Sequence, residues 1–146
     1  MSAAQPSLEG ARVLDLFAGS GALGLEALSR GAASVTFVER SVGAVSALRE
    51  NVEKLGAGDA AEIVRGDALA YALGLPVAAY DLAFADPPYS SGAATTLAAI
   101  FLTRRFAREL WVEHRAGEPL PEAAGARTRR YGDTAITTIP APEASE

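Results

Sequence analysis

Short apolar runs alternate with segments of helical periodicity along most of this chain. Runs at residues 12–17, 35–39, 61–64 and 80–85 are predicted as strands. Residues 22–30, 41–55 and about 67–73 place apolar side chains at helical spacing, and Gly31 and Gly56 follow the first two of these segments as stop signals. This alternation predicts a parallel sheet with right-handed crossovers, which is a doubly wound three-layer α/β sandwich.

The last third of the chain predicts a different arrangement. A helical pattern covers about residues 93–106, a short strand is predicted at 110–113, and two further β-runs at 126–131 and 134–140 are joined by Gly132-Asp133. A two-residue link cannot make a crossover, so these two strands must form an antiparallel hairpin. We therefore expect a mostly parallel seven-stranded sheet in one domain over residues 11–140. Residues 1–10 are predicted as a tail or the remnant of a longer segment, and 141–146 as a polar tail.

Composition narrows the class of protein. The chain has 146 residues, of which 49% are hydrophobic and 21% charged, as expected for one ordered domain. It has no apolar run of membrane-spanning length and no signal-peptide pattern, so we expect a cytoplasmic protein without a membrane partner. The chain has no cysteine and one histidine, so a metal site is disfavoured. The net charge of −5 argues against indiscriminate nucleic-acid binding, although seven arginines of the last third could form a local patch: Arg104, Arg105, Arg108, Arg115, Arg127, Arg129 and Arg130.

A glycine-rich turn follows the first predicted strand. Its spacing, Gly19-x-Gly21-x-x-Gly24, leaves no Cβ between the backbone and a bound molecule, and the N–H groups that open the next helix can face a ligand. The same spacing fits the dinucleotide fingerprint, in which a carboxylate such as Glu39 would reach ribose hydroxyls. The turn therefore predicts a nucleotide-type ligand and leaves its class open.

Acidic residues stand at or near the ends of all four early strands. Asp15, Glu39, Asp67 and Asp86 should therefore gather at the carboxyl edge of the sheet, where α/β proteins bind ligands. Each also has a structural explanation by itself, and Asp67 could serve only as the N-cap of the helix that follows it.

The run Asp86-Pro87-Pro88-Tyr89 is the predicted catalytic segment. Two successive prolines fix the backbone and lack N–H groups, so the Pro87 carbonyl can face a ligand beside the Asp86 carboxylate. This acceptor pair with the Tyr89 ring suits a planar base that bears an amine. Holding both amine hydrogens out of the ring plane frees a lone pair that conjugation otherwise delocalises.

These motifs together resemble the S-adenosylmethionine-dependent methyltransferases of amino nitrogens. The stretch from Asp15 to Ala27, the Asp86–Tyr89 loop and the late Arg130–Thr134 run are similar to the RsmD family, which methylates the 2-amino group of guanine in bacterial small-subunit ribosomal RNA. The resemblance covers about residues 10–140. It implies a Rossmann-like methyltransferase fold, S-adenosyl-L-methionine as cofactor, and ribosomal RNA as partner, possibly within an assembled small-subunit particle.

The resemblance also implies the site residues. Asp15 and the Gly19–Gly21 backbone would hold the methionine end, Glu39 the ribose and Asp67 the adenine amine, while Asp86 and Pro87 would bind the guanine amine and Tyr89 would stack on the base. The full cofactor set is Asp15, Phe17, Ala18, Gly19, Ser20, Gly21, Gly24, Glu39, Arg40, Gly66, Asp67 and Ala68, and the catalytic set is Asp86, Pro87, Pro88 and Tyr89.

One departure from the family pattern bears on RNA binding. The family usually begins with a basic segment, whereas residues 1–11 contain neither Lys nor Arg, so we expect weak RNA binding by the late arginines alone. Three alternatives remain open. A DNA amino methyltransferase shares the double-proline loop, a dinucleotide-dependent oxidoreductase shares the glycine spacing, and a cofactor-binding module without catalysis fits the lack of a basic segment.

Overall fold

A computed structural model of the protein describes residues 8–89 and 91–143. The strands are β1 (Arg12–Leu16), β2 (Ser34–Glu39), β3 (Ala61–Arg65), β4 (Tyr80–Ala85), β5 (Ala107–Arg115), β6 (Arg127–Tyr131) and β7 (Thr134–Pro140). The helices are α1 (Ala22–Ser29), α2 (Val42–Lys54), α3 (Ala68–Leu73) and α4 (Ala93–Arg104), and a single 3₁₀ turn at Gly58–Ala60 precedes β3. Within this described part of the chain, no helix combines the length and apolarity that a membrane span requires.

All seven strands form one sheet, in the order β3-β2-β1-β4-β5-β7-β6. The first five strands in this order are parallel, while β7 runs antiparallel to both β5 and β6. The predicted doubly wound, mostly parallel seven-stranded sheet with a C-terminal antiparallel hairpin is confirmed. Strand order reverses between β1 and β4, so the crevice beyond their carboxyl ends is where such a fold binds ligands.

Helices cover the sheet in pairs. α1 and α2 pack on one face through Leu25, Ala27, Leu48 and Val52, and α3 and α4 pack on the opposite face through small residues together with Leu97 and Phe101. Successive residues of the central strands point to opposite faces, so Leu14 and Leu16 of β1 enter the α3–α4 core whereas Val13 enters the α1–α2 core. This burial on both faces explains why the parallel strands read as continuous apolar runs.

Several boundaries differ from the sequence prediction. β1 ends at Leu16, one residue early, because Phe17 adopts a positive φ of 57° that a strand cannot continue. α4 ends at Arg104, since Arg105 takes the left-handed conformation, and β5 is longer than predicted, beginning at Ala107. The buried Phe106 then packs edge-on against Phe101, with ring centroids 5.3 Å apart, as part of the core and not of the helix.

The packed body begins before residue 11. Leu8, which we assigned to the N-terminal tail, is only 5% exposed and belongs to the α1–α2 core. The Gly10 N–H donates to the Gly31 carbonyl at 2.8 Å, which fastens this segment to the end of α1. The expected tails at residues 1–7 and 144–146 lie outside the described residues.

Candidate active site

The turn after β1 forms a tight loop at the switch point. Phe17, Gly19 and Gly21 have positive φ values of 57°, 59° and 90°. The loop is held by two backbone bonds, from Ala18 N–H to the Val38 carbonyl at 3.0 Å and from Gly21 N–H to the Ala18 carbonyl at 2.9 Å. A positive φ is uncommon outside glycine, and at Phe17 it turns the chain sharply out of β1 toward the sheet edge.

Glu39 links this loop to the next crossover. One of its carboxylate oxygens, Oε1, accepts the Gly19 N–H at 2.9 Å, and Oε2 accepts the Ser41 N–H at 2.8 Å. Ser41 in turn caps α2, accepting the Ala44 N–H at 3.3 Å. Each Glu39 oxygen has a second acceptor site, so the side chain is fixed in position while it can still accept hydroxyl hydrogens.

Asp15 lies beneath the loop and not on the cavity wall. It is 2% exposed, and its Oδ2 accepts the Gly24 N–H at 3.1 Å. Burial raises the pKa of Asp15 to about 8; the bond from Gly24 opposes this, and the charges of Asp86 and Glu39 add to it. The structure therefore shows Asp15 in contact with the first turn of α1, and its predicted methionine contact stays a prediction.

Close packing accounts for two of the motif glycines. A Cβ on Gly24 would lie 2.3 Å from Phe37 Cε1 and 2.9 Å from Val35 Cγ1, and a Cβ on Gly21 would lie 2.2 Å from Leu48 Cδ1. Gly19 is different, because its Cβ would meet nothing within 4 Å and only its positive φ favours glycine. Gly24 thus lets α1 approach β2 of the sheet and Gly21 leaves room for Leu48 of α2, whereas Gly19 shapes the loop itself.

Asp67 follows β3 and caps α3. Its Oδ2 accepts the Ala70 N–H at 3.1 Å, so Asp67 has the N-cap role that its position before the helix indicated. The side chain is nevertheless exposed and lines the cavity at the sheet edge, together with its neighbours Gly66 and Ala68. Capping uses one carboxylate oxygen, so the second remains suited to an amine donor.

The Asp86–Tyr89 segment follows β4 directly. Asp86 is exposed at the cavity, Pro87 is buried, and the Pro88 carbonyl accepts the Ser91 hydroxyl at 2.7 Å. The Tyr89 hydroxyl lies 2.6 Å from Thr134 Oγ1 at the start of β7, so the C-terminal hairpin anchors the aromatic ring.

A cavity of about 690 Å³ collects these features, within the size range of ligand pockets. Predicted residues that line it are Phe17, Glu39, Arg40, Gly66, Asp67, Ala68, Asp86, Pro87, Pro88 and Tyr89. The remaining predicted residues lie at or beneath the glycine loop and outside the lining: Asp15, Ala18, Gly19, Ser20, Gly21 and Gly24. Sequence reasoning missed further lining residues, which include Val38, Ser91, Gly92, Thr96 and Glu113.

Negative charge dominates the cavity. Four carboxyl side chains and one arginine, Arg40, line it. The carboxyl side chains belong to Glu39, Asp67, Asp86 and Glu113. Burial, together with a hydrogen bond with Asp86 and the Asp86 charge, raises the pKa of Glu113 to about 7. Among residues 8–89 and 91–143, no cluster of three His, Cys, Asp or Glu side chains has an arrangement that could hold a metal ion. An acidic cavity favours a cationic ligand.

The late arginines do not form one patch. Arg104 ends α4, and Arg108 lies near the start of β5 with its Nε 3.7 Å from Asp81, so both stand at the edge opposite the cavity. Arg127 and Arg129 project from β6 into a groove beside the cavity. Only part of the expected basic surface is therefore near the candidate site.

Comparison with known proteins places this geometry in a family. The model of the family described as Conserved hypothetical protein 95 matches residues 1–139. YlbH of Bacillus subtilis, whose name describes a candidate rRNA methyltransferase, is 34% identical over 140 residues, which cover 90% of this chain and 76% of YlbH. Ribosomal RNA small subunit methyltransferase D of Escherichia coli is 41% identical over 87 residues, covering 60% of this chain but only 43% of that protein.

A solved structure agrees with both sequence matches. The Escherichia coli protein yhhF, described as a candidate methyltransferase, superposes with a TM-score of 0.80 at 30% identity, covering 94% of this chain and 80% of yhhF. The fold of yhhF thus corresponds to that of the present chain over 94% of the present chain. The chain belongs to the family described as Conserved hypothetical protein 95, and its resemblance to the RsmD methyltransferases is thereby confirmed.

Proposed function

We propose that this chain transfers a methyl group from S-adenosylmethionine to the 2-amino group of a guanine in small-subunit ribosomal RNA. The observation that carries the proposal is that the Asp86–Tyr89 loop lines the same cavity as Glu39 and Asp67. The loop that we propose to bind the amine and the residues that we propose to bind the nucleoside therefore line one space. The names of the curated relatives support ribosomal RNA as the substrate class.

The residues present fit the cofactor. Glu39 is held rigid by two backbone N–H groups and keeps acceptor capacity for the two ribose hydroxyls. Asp67 offers a carboxylate oxygen to the adenine amine, and the acidic lining suits a molecule that carries a sulfonium and an ammonium group. Bound S-adenosylmethionine supplies a methyl group that the sulfonium already activates, so the reaction needs no metal.

The chain's own contribution is to position the amine. Asp86 and the Pro87 carbonyl would accept the two amine hydrogens, and Tyr89, anchored to Thr134, would stack on the base. This orientation turns the nitrogen lone pair toward the methyl group, and alignment of the reacting atoms supplies most of the rate enhancement. After transfer the amine loses one proton, which the exposed Asp86 carboxylate can pass to solvent.

A base inside folded RNA must leave its stack to enter this cavity. Tyr89 is 41% exposed at the rim, where its ring can receive the extruded base. Arg127 and Arg129 lie in the adjoining groove and would contact phosphates flanking the target.

The proposal is tested by identifying the nucleoside that receives the methyl group. Purified protein is incubated with S-adenosylmethionine carrying a labelled methyl group and with unmethylated small-subunit RNA, large-subunit RNA, assembled small-subunit particles or DNA. Nuclease digestion and mass spectrometry then locate the label. We expect N2-methylguanosine from small-subunit RNA or the particle. Label on adenine or cytosine amines of DNA, or no transfer to any substrate despite cofactor binding, would contradict the proposal.

A further inference from the structure

Glu113 is a carboxyl of the site that the family motifs did not point to. It lies on β5, whose residues alternate between the α3–α4 core and the opposite face, so Glu109, Trp111 and Glu113 share the opposite face. Glu113 lines the candidate cavity and also an adjoining groove of about 780 Å³ beside β6 and β7, within the usual size range of ligand sites. It therefore stands where the two spaces meet.

Sheet register places Glu113 beside Asp86. Ala85 of β4 pairs with Val112 of β5, and one residue further along the two parallel strands Asp86 and Glu113 are neighbours. Burial first, then a hydrogen bond with Asp86 and the Asp86 charge, raise the pKa of Glu113 to about 7. The negative charge of Asp86 disfavours a second charge on Glu113 at short range.

No cation neutralises Glu113. The ion pairs found in the described residues involve Asp81, Glu26 and Glu50, and none involves Glu113. A half-buried carboxyl without an ion-pair partner gains most when a ligand brings hydrogen-bond donors to it. Glu113 thus lines the space that the substrate would occupy without an ion-pair partner among the described residues.

Guanine is the base that offers the matching donors. Its Watson–Crick edge presents N1–H next to the 2-amino group, whereas adenine and cytosine present a bare ring nitrogen beside their amines. Above its pKa of about 7 the Glu113 carboxyl is ionised and can only accept, so it pairs with N1–H and repels an unprotonated ring nitrogen. Building on the proposed function, we propose that Glu113 determines specificity by accepting the N1–H of the target guanine, while Asp86 and Pro87 hold the 2-amino group.

The test compares two RNA oligonucleotides that differ at the target base. One carries guanine and the other 2-aminopurine, which keeps the 2-amino group and lacks N1–H. Their dissociation constants are measured by fluorescence anisotropy with protein loaded with S-adenosylhomocysteine, at a pH above the Glu113 pKa of about 7 so that the carboxyl is ionised. Wild type is expected to prefer guanine about tenfold or more, the lower range for a hydrogen bond to a charged group, and Glu113→Ala is expected to bring the ratio close to one. Because 2-aminopurine also lacks the 6-oxo group in both measurements, only the change in ratio between proteins is interpreted.

Glu109→Ala is the matched control, because Glu109 shares the strand and face of Glu113 but lies outside the candidate cavity. It should keep the wild-type ratio. Glu113→Gln, which preserves size and removes the charge, serves if the alanine variant does not fold, and it should also lower the ratio. An unchanged ratio in the folded Glu113 variants, or equal binding of both RNAs by wild type, would overturn the inference.

Methyl transfer is measured in parallel with the same proteins and RNAs, with S-adenosylmethionine in place of S-adenosylhomocysteine, to separate the two proposals. Loss of the guanine preference in Glu113→Ala without any transfer by wild type would remove the proposed reaction and leave the role of Glu113 in base recognition. Methyl transfer to guanine by wild type, with a guanine preference that the Glu113 variants keep, would support the proposed reaction and remove the role of Glu113 in base recognition.

Discussion

The Glu39 carboxylate accepts the Gly19 N–H at 2.9 Å, which joins the loop after β1 to the end of β2. The same carboxylate accepts the Ser41 N–H at 2.8 Å and so also holds the start of α2. One side chain therefore fixes the loop after β1 and the start of α2. Its position at the rim of the cavity makes this pre-organisation relevant to the cofactor.

Glu39→Gln should weaken S-adenosylmethionine binding. Glutamine has only one oxygen, so it cannot accept both backbone N–H groups and two ribose hydroxyls as the carboxylate can. Loss of a hydrogen bond to a charged group costs about 1.5–3 kcal/mol, or roughly ten- to hundredfold in affinity. Isothermal titration calorimetry measures this, with Glu53→Gln on the exposed side of α2 as control. Wild-type affinity in Glu39→Gln would show that the carboxylate only braces the loops.

Asp86→Ala should separate chemistry from cofactor binding. Asp86 is exposed at the cavity and none of the site's backbone anchors depends on its side chain, so S-adenosylmethionine affinity should remain near the wild-type value. Methyl transfer should fall at least roughly ten- to hundredfold, since an acceptor for the amine is lost. Single-turnover assays with bound cofactor measure the transfer step. A normal rate would reassign Asp86 to a structural role.

Much of the fold follows from sequence pattern alone. Two-sided burial makes each central strand a continuous apolar run, and the glycines after α1 and α2 mark the helix ends, so the strand–helix alternation is visible. The start of β5 was not visible, because Phe106 continues the helical spacing of α4 and only the left-handed Arg105 ends the helix. Leu8 likewise looked like part of a tail, since a single apolar residue among polar ones gives no periodic signal.

The candidate site was predictable to the extent that it consists of contiguous motifs. Asp86 to Tyr89 and the glycine turn are local in sequence, and parallel strands bring their carboxyl ends to one edge. Glu113 was missed because its role depends on the register between β4 and β5, which brings it beside Asp86. The one available signal was that Glu113, an acidic residue, directly follows the apolar run from Leu110 to Val112.

The contact between Tyr89 and Thr134 should affect transfer more than cofactor affinity. Thr134→Val keeps the side-chain shape and removes the hydroxyl that lies 2.6 Å from the Tyr89 hydroxyl. A neutral hydrogen bond contributes about 0.5–1.5 kcal/mol, so we expect roughly a two- to tenfold loss in the transfer rate as the ring becomes less ordered. Tyr89→Phe should give a similar loss, and the double variant should lose little more. Additive losses would mean that the two side chains act independently.

Asp15 should make the protein less stable as the pH rises. Its folded-state pKa is raised to about 8 by burial, whereas an unfolded aspartate has a pKa of about 4. Between these values the folded protein binds more protons than the unfolded chain, so the free energy of unfolding falls by up to about 1.4 kcal/mol per pH unit.

Asp15→Asn keeps an oxygen acceptor for the Gly24 N–H and removes the titration. Urea unfolding at several pH values from 5 to 9 should therefore show a shallower loss of stability in Asp15→Asn than in wild type. Other carboxyls, such as Glu113, titrate in both proteins and cancel in the difference. Parallel stability curves would mean that Asp15 is ionised in the folded state.

Gly24→Ala should destabilise the fold through packing, which distinguishes this glycine from Gly19. The new Cβ would lie 2.3 Å from Phe37 Cε1, a separation that real contacts do not show, so α1 or the Phe37 ring must shift. Overpacking of a core typically costs about 1–3 kcal/mol of unfolding free energy, and alanine's better helix propensity offsets only part of that. Thermal and urea unfolding of the cofactor-free protein measure the loss. Alanine retains the N–H that Asp15 accepts, so the loss does not come from removing that hydrogen-bond donor.

Combining Gly24→Ala with Phe37→Leu should recover part of the stability, since the shorter side chain leaves room for the methyl group. Unchanged stability in Gly24→Ala, with loss of cofactor affinity only, would instead place Gly24 at the ligand.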